Sequence, residues 1–134
     1  MKIAIPVKMN KENSAIAPLF GKAKWFAIIE DEKIVIEQNP AEGGRSVIEW
    51  LHHIHVDTII MQEMGQSPYH MIQKLGSMKV YHVGFERITL EEALEKFYRD
   101  ALPLLDDTGM SKIIEHHEAK HSHQHHGHEH HHHT

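Results

Sequence analysis

Trp25-Phe26-Ala27-Ile28-Ile29-Glu30-Asp31-Glu32-Lys33-Ile34-Val35-Ile36-Glu37-Gln38 contains two strand-like apolar runs separated only by Asp31 and Glu32. Two such runs joined by two residues signal an antiparallel hairpin, although Asp-Glu is a poorer turn than Asn-Gly. Upstream, Lys2 to Val7 reads as a third strand with Ile3, Ile5 and Val7 on one face. Pro6 has no amide hydrogen for a ladder and belongs near that strand's end. Downstream the period changes. Ser46 to Ile54 is helical, with Val47, Trp50, Leu51 and Ile54 inward and Glu49, His52 and His53 outward. Asp57 to Met61 is a short buried strand. Ser67 as N-cap and Pro68 as first helical residue then open a second helix, which Gly76 closes. Lys79 to Val83 is the last strand, and Thr89 with Glu92 forms the capping box of a third helix that ends before Pro103. The order β-β-β-α-β-α-β-α predicts an α/β fold: a five-stranded mixed sheet covered by helices.

The chain has 134 residues, a one-domain length, and no cysteine. Disulfides, zinc–thiolate sites and thiol catalysis are therefore excluded. A net charge of −5 gives no basic footprint for nucleic acid. No apolar run reaches the ~18 residues of a membrane span, and the N-terminal apolar stretch is too short for a signal peptide, so a cytoplasmic location is expected. The residue out of proportion is histidine, 16 in all. Eleven of them are His116, His117, His121, His123, His125, His126, His128, His130, His131, His132 and His133. Beyond Glu115 only Ala119 is apolar, which cannot offset chain entropy. Residues 1–111 thus read as a compact domain and 112–134 as a disordered His-rich tail. Ser122, Gln124, Gly127 and Glu129 interrupt the histidines, unlike an uninterrupted purification tag. Neutral imidazole suits zinc, nickel, copper and iron, so these eleven are candidate ligands for a divalent transition metal.

A second candidate site follows from topology. In an open α/β sheet, ligands settle beyond the carboxyl ends of strands where the strand order reverses. The loops after Val7 and Met61 are expected to meet there, and the second leads into a helix start whose free amides favour an anion. Met9, Met64 and His70 offer thioether and imidazole groups to a metal at that spot, with Gly21, Gly65, Gln66 and Ser67 completing the binding set. Glu49 and His53, four apart beside His52 and His55, form a weaker pair that lacks a third ligand. His82, on a strand expected to be central, reads as a satisfied core histidine. Enzyme signatures are missing: the first strand has no carboxylate, and no phosphate loop or nucleophile elbow is present.

Several short motifs carry a resemblance. Met1-Lys2-Ile3-Ala4-Ile5-Pro6-Val7, Leu19-Phe20-Gly21-Lys22-Ala23 with Trp25-Phe26, the Gly65 loop, Leu75-Gly76 and Thr89-Leu90-Glu91-Glu92-Ala93-Leu94 together resemble the nitrogenase accessory family. These are small proteins similar to NifX and to the C-terminal part of NifB, and the likeness spans roughly residues 1 to 105. The resemblance implies a ribonuclease-H-like three-layer fold, helices on both sheet faces and one strand antiparallel to the rest. It also implies non-covalent carriage of an iron–molybdenum or related metal–sulfur cluster rather than catalysis, with a cofactor-assembly protein as partner. The chain departs from the family in its less glycine-rich loop, Glu63-Met64-Gly65-Gln66-Ser67-Pro68, and in lacking a C-terminal cysteine. A cluster here would be held by histidine, methionine, carboxylate or backbone groups. Two alternatives stand beside this reading: divalent metal storage or delivery through the tail, and a regulatory module binding an anionic small ligand.

Overall fold

The computed structural model describes the backbone of residues 1–129 and the side chains through Lys120. His130, His131, His132 and His133, and the side chains of His121, His123, His125, His126 and His128, lie outside the described residues. Strand β1 (Lys2–Val7) pairs antiparallel with β2 (Trp25–Glu30), from Lys2 opposite Glu30 to Val7 opposite Trp25. On its other side β1 runs parallel to β4 (Thr58–Met61), which is parallel to β5 (Lys79–His82). Strand β3 (Lys33–Gln38) closes the hairpin on β2. The order β3-β2-β1-β4-β5 leaves β2 alone running against the others, the five-stranded mixed sheet that the sequence pattern indicates.

The hairpin turn shows how an unfavourable dipeptide is accommodated. Asp31 has φ 52° and Glu32 φ 67°, the paired left-handed conformation of a type I′ turn. Six residue pairs of ladder on β3 hold the turn there despite its side chains. Helix α1 (Gly44–His53) starts two residues before Ser46, and α2 (Gln66–Leu75) starts before Ser67. Gly65, not Ser67, is the N-cap of α2, and Pro68 is its third residue. Proline is tolerated throughout a first turn, where its missing amide hydrogen has no intrahelical partner. Helix α3 (Leu90–Tyr98) has the capping box as expected.

Alternation along the strands builds two cores. Ala4, Phe26, Ile28, Ile59 and Met61 face Val47, Ile48 and Leu51 of α1 and Met71 and Ile72 of α2. Ile3, Ile5, Val7, Ala27 and Ile29 face Leu90, Ala93 and Leu94 of α3. Helices therefore cover both faces, giving three layers.

Two expectations are corrected. Strand β5 is at the sheet edge rather than central, and His82 is half-buried there, its Nε2 3.0 Å from the carbonyl of Gln62. Burial holds its imidazole below the ordinary value, against the opposing pull of that bond. Helix α4 (Asp107–Glu129) runs through the boundary placed after Ser111, so residues 112–129 are helical rather than disordered. Met110 and Ile113, three apart, are both buried in the first core, with Ile114 packed beside them. Burial of this short apolar stripe explains the helix where composition alone indicated none. Tyr69 of α2 donates its hydroxyl hydrogen bond to Asp107, pinning the start of α4. Burial, with the Asp107 bond adding to it, pushes that phenol up to about 12. No helix among the described residues is long and apolar enough to cross a membrane.

Candidate functional site

After Met61 the chain leaves β4 through Gln62, Glu63, Met64 and Gly65 and enters α2 at once. Beside it runs the segment that follows Ala17. Leu19 bridges Glu63 in parallel, the Phe20 amide donates to the Glu63 carbonyl at 3.2 Å, and Phe20–Lys22 makes a single 3-10 turn. That turn abuts the start of α1. A Cβ on Gly21 would lie 3.1 Å from the Gly44 backbone, and one on Gly44 would lie 2.7 Å from Cγ of Pro68. Close approach of the three segments thus depends on glycine at both positions.

Between them opens a cavity of about 710 Å³. Its walls are the 3-10 turn, Gly43 and Gly44 at the start of α1, Met64 through Pro68 at the start of α2, and His117 with Glu118 from α4. Both helices begin on glycine, Gly43 with φ 86° and Gly65 in extended conformation, and neither has a side-chain cap. Two helix N-termini therefore present first-turn amides and the positive ends of their dipoles to one space. Lys22 adds a cation at the rim.

Behind this wall lies Glu63, 2% exposed. Its Oε1 is 2.9 Å from Nδ1 of His117, and its Oε2 is 3.4 Å from Nζ of Lys120. Burial opposes the charge on Glu63, but the His117 bond and the Lys120 ammonium outweigh it and hold the carboxyl below its usual value. Among the described residues no three histidine, aspartate or glutamate side chains come together as a metal cage.

The structure brings Gly21, Met64, Gly65, Gln66 and Ser67 to this cavity and leaves Met9 and His70 away from it. Met9 belongs to an excursion closed by Lys8 N–H to Ala15 O (3.0 Å) and Met9 N–H to the Ser14 hydroxyl (3.0 Å), which turns its side chain out to 54% exposure. Leu19 to Lys22, rather than the residues just after Val7, meet the β4 loop. His70 is on the exposed side of α2, its neighbours Met71 and Ile72 facing the core. Glu49, His52, His53 and His55 are all exposed. Of the histidines expected in the tail, His117 lines the cavity, and His116 stacks on Phe85 with ring centroids 4.1 Å apart.

Sequence reasoning missed Gly43, Gly44 and Glu63. The Gly-Gly pair before an uncapped helix was the available signal for the first two. Nothing local marks Glu63, whose burial depends on α4.

The sequence model of the dinitrogenase iron–molybdenum cofactor family matches residues 1–100. Solved structures share the fold. The apo form of the orange protein from Desulfovibrio gigas is 18% identical with a TM-score of 0.69, covering 78% of this chain and 92% of its own. A candidate NifB protein of Thermotoga is 24% identical with a TM-score of 0.65, covering 78% of this chain and 92% of its own. A candidate dinitrogenase from Methanocaldococcus jannaschii is 20% identical with a TM-score of 0.59, covering 79% and 95%. No curated protein sequence matches the chain.

Proposed function

This chain belongs to the dinitrogenase iron–molybdenum cofactor family, within the nitrogenase accessory group typified by NifX, and we propose that it is a non-catalytic carrier of an anionic metal–sulfur cluster of the iron–molybdenum type. The observation that carries this reading is the convergence of two uncapped helix N-termini on one cavity. Backbone amides and helix dipoles bind an anion without a covalent bond, which suits cargo that must be handed on. The volume, about 710 Å³, falls in the range of small-ligand sites. No thiolate is available, and the lining residues that carry softer donors are His117 and Met64, the latter a core side chain 1% exposed.

A hydrolytic role finds no support. Asp57, the carboxylate at the start of β4, accepts hydrogen bonds from the Lys2 amide (3.2 Å) and the Thr58 hydroxyl (2.8 Å), a structural use. Handover requires a partner protein of cofactor assembly, and the family to which the chain belongs favours that class of partner.

Full-length protein isolated anaerobically, without nickel resin, from cells that make the cofactor tests the carrier reading. Molybdenum, iron and sulfide in fixed proportion with the polypeptide are expected. Protein holding only a labile divalent ion would instead favour a second reading, in which the tail stores or delivers zinc or nickel. The concentration of eleven histidines between His116 and His133 supports that alternative. Calorimetric zinc titration of the full chain and of a chain ending at Lys120 separates the two, since tail binding disappears with the tail.

A further inference from the structure

The two edges of the sheet differ. Beyond β5, Leu104 bridges Tyr81, the Leu105 amide donates to the Val80 carbonyl at 2.8 Å, and the His82 amide donates to the Pro103 carbonyl at 3.1 Å. Residues 103–105 thereby close that side. Strand β3, at the other edge, has no strand or bridge on its outer side among the described residues. Its bonds to β2 fall on odd-numbered residues: the Asn39 amide donates to the Lys24 carbonyl at 2.9 Å, and hydrogen-bonded pairs alternate along an antiparallel ladder. The amides and carbonyls of Ile34 and Ile36 therefore point outward from the sheet. Ile34 is 46% exposed and Val35 53%, on opposite faces. A bare edge is usually blunted by a central charge, a proline or a bulge. Here the centre is Ile34-Val35-Ile36, and the charges, Lys33 and Glu37, flank it.

We propose that β3 is a docking edge for a second copy of this chain, whose own β3 pairs with it antiparallel about a two-fold axis at Val35. The stretch Lys33-Ile34-Val35-Ile36-Glu37 is complementary to itself reversed. With Val35 opposite Val35 of the second copy, Lys33 stands opposite Glu37 and Ile34 opposite Ile36, and the symmetry makes each of these pairs twice. The Ile34–Ile36 pairs exchange the outward N–H and C=O groups, while Val35–Val35 and Lys33–Glu37 are the non-hydrogen-bonded pairs, whose side chains come closest. Backbone alternation allows the register to slip only by two residues. A slip one way sets Lys33 against Asn39 and Glu37 against Val35; a slip the other way sets Lys33 against Val35 and Glu37 against Asp31. Both lose the ion pairs, so charge complementarity selects one register. Because residues 103–105 cover β5, each copy offers a single bare edge, and the pairing closes at a dimer. No residue of β3 lines the cavity, so the inference stands apart from the carrier reading.

Sedimentation equilibrium of the full chain over a concentration series tests the pairing. Wild type is expected to pass from monomer to dimer below about 1 mM, the weak end of the affinity scale. Val35→Lys sets two ammonium groups against each other on the axis and should leave only monomer. Lys33→Glu alone and Glu37→Lys alone each put like charges in both flanking pairs, and each should weaken association at least about tenfold. An equimolar mixture of these two variants restores opposite charges in both pairs, so a mixed dimer should form with close to wild-type affinity. Circular dichroism and thermal unfolding check the monomer fold of each variant, above all Lys33→Glu, since Lys33 also faces Glu30 of β2. Wild type that stays monomeric throughout leaves the strand to another occupant and overturns the proposal. A dimer that survives Val35→Lys overturns it as well, as do assemblies larger than two. Single variants that weaken the dimer without recovery in the mixture overturn the pairing of Lys33 with Glu37.

Discussion

Nδ1 of His117 lies 2.9 Å from Oε1 of Glu63, joining the last helix to the loop that leaves the fourth strand. The pair does two things at once. It gives a carboxylate placed almost out of water a hydrogen-bond partner, and it brings α4 against the cavity. Met110 and Ile113, both buried, anchor the same helix one to two turns earlier. Packing of α4 on the rest of the fold therefore continues past Ser111, through His117 and Lys120.

Truncation tests this packing. A chain ending at Lys120 should match the full chain in urea unfolding. One ending at Ser111 loses Ile113, whose burial is worth about 1.5–3 kcal/mol. It also strips Glu63 of His117 and Lys120, leaving a buried charge without them. A loss of roughly 3–5 kcal/mol is expected. Equal midpoints for the two truncated chains would show that α4 contributes nothing to the fold.

The β2–β3 turn offers a gain instead. Asp31 and Glu32 both sit at positive φ, where a side chain is strained and glycine is not. Glu32→Gly should raise stability by about 1 kcal/mol, seen as a higher thermal midpoint, because the turn then approaches the favoured Asp-Gly form. An unchanged or lowered midpoint would mean that the strain is relieved elsewhere, or that the added freedom of the unfolded chain cancels it.

Helix α3 should show a pH signature. Glu92 accepts from the Thr89 amide at 2.9 Å, and the Thr89 hydroxyl in turn accepts from the Glu92 amide at 3.3 Å. The Thr89 amide first, and then the Thr89 hydroxyl, which donates to the same carboxylate oxygen at 3.0 Å, depress the Glu92 carboxyl below its ordinary 4.5. A depressed carboxylate favours the folded state above the unfolded value, and this contribution is lost as pH falls from about 4.5 through the lower folded value. Wild type should therefore lose stability more steeply than Glu92→Gln in that window. Thr89→Ala should cost about 1 kcal/mol at neutral pH. Parallel acid unfolding curves for wild type and Glu92→Gln would remove the capping box as the cause.

The sheet was legible because its signals are local. Ile3, Ile5 and Val7 alternate, the two runs around Asp31-Glu32 face each other, and Thr89 with Glu92 writes a helix start in four residues. Half of the cavity was legible for a related reason: Gly65, Gln66 and Ser67 lie where a strand passes into a helix, and topology alone makes that an anion site. The other half depends on distance in sequence. Gly21, Gly44 and Pro68 are neighbours only because three segments close on one another. Met9 misled because it follows the first strand directly, while an eight-residue excursion, Lys8 to Ala15, returns the chain to β1 only at Ile16. Helix α4 was hidden by composition. Its histidine content masks a short apolar stripe whose buried members among the described residues are Met110 and Ile113.

The most direct test of the central claim uses Ser67→Asp in the full chain. Ser67 is the second residue of α2, exposed and on the cavity wall. Aspartate there complements the helix dipole, so the fold should persist and thermal stability should be equal or higher. The same charge stands beside the space assigned to an anion, where Coulomb repulsion at short range amounts to more than about 1.4 kcal/mol, a factor of ten. Anaerobic titration with extracted iron–molybdenum cofactor should therefore show wild type binding with a defined stoichiometry and Ser67→Asp binding at least about tenfold more weakly. Equal affinity in a folded Ser67→Asp protein would contradict the account and place the cluster, if bound at all, away from the two helix N-termini.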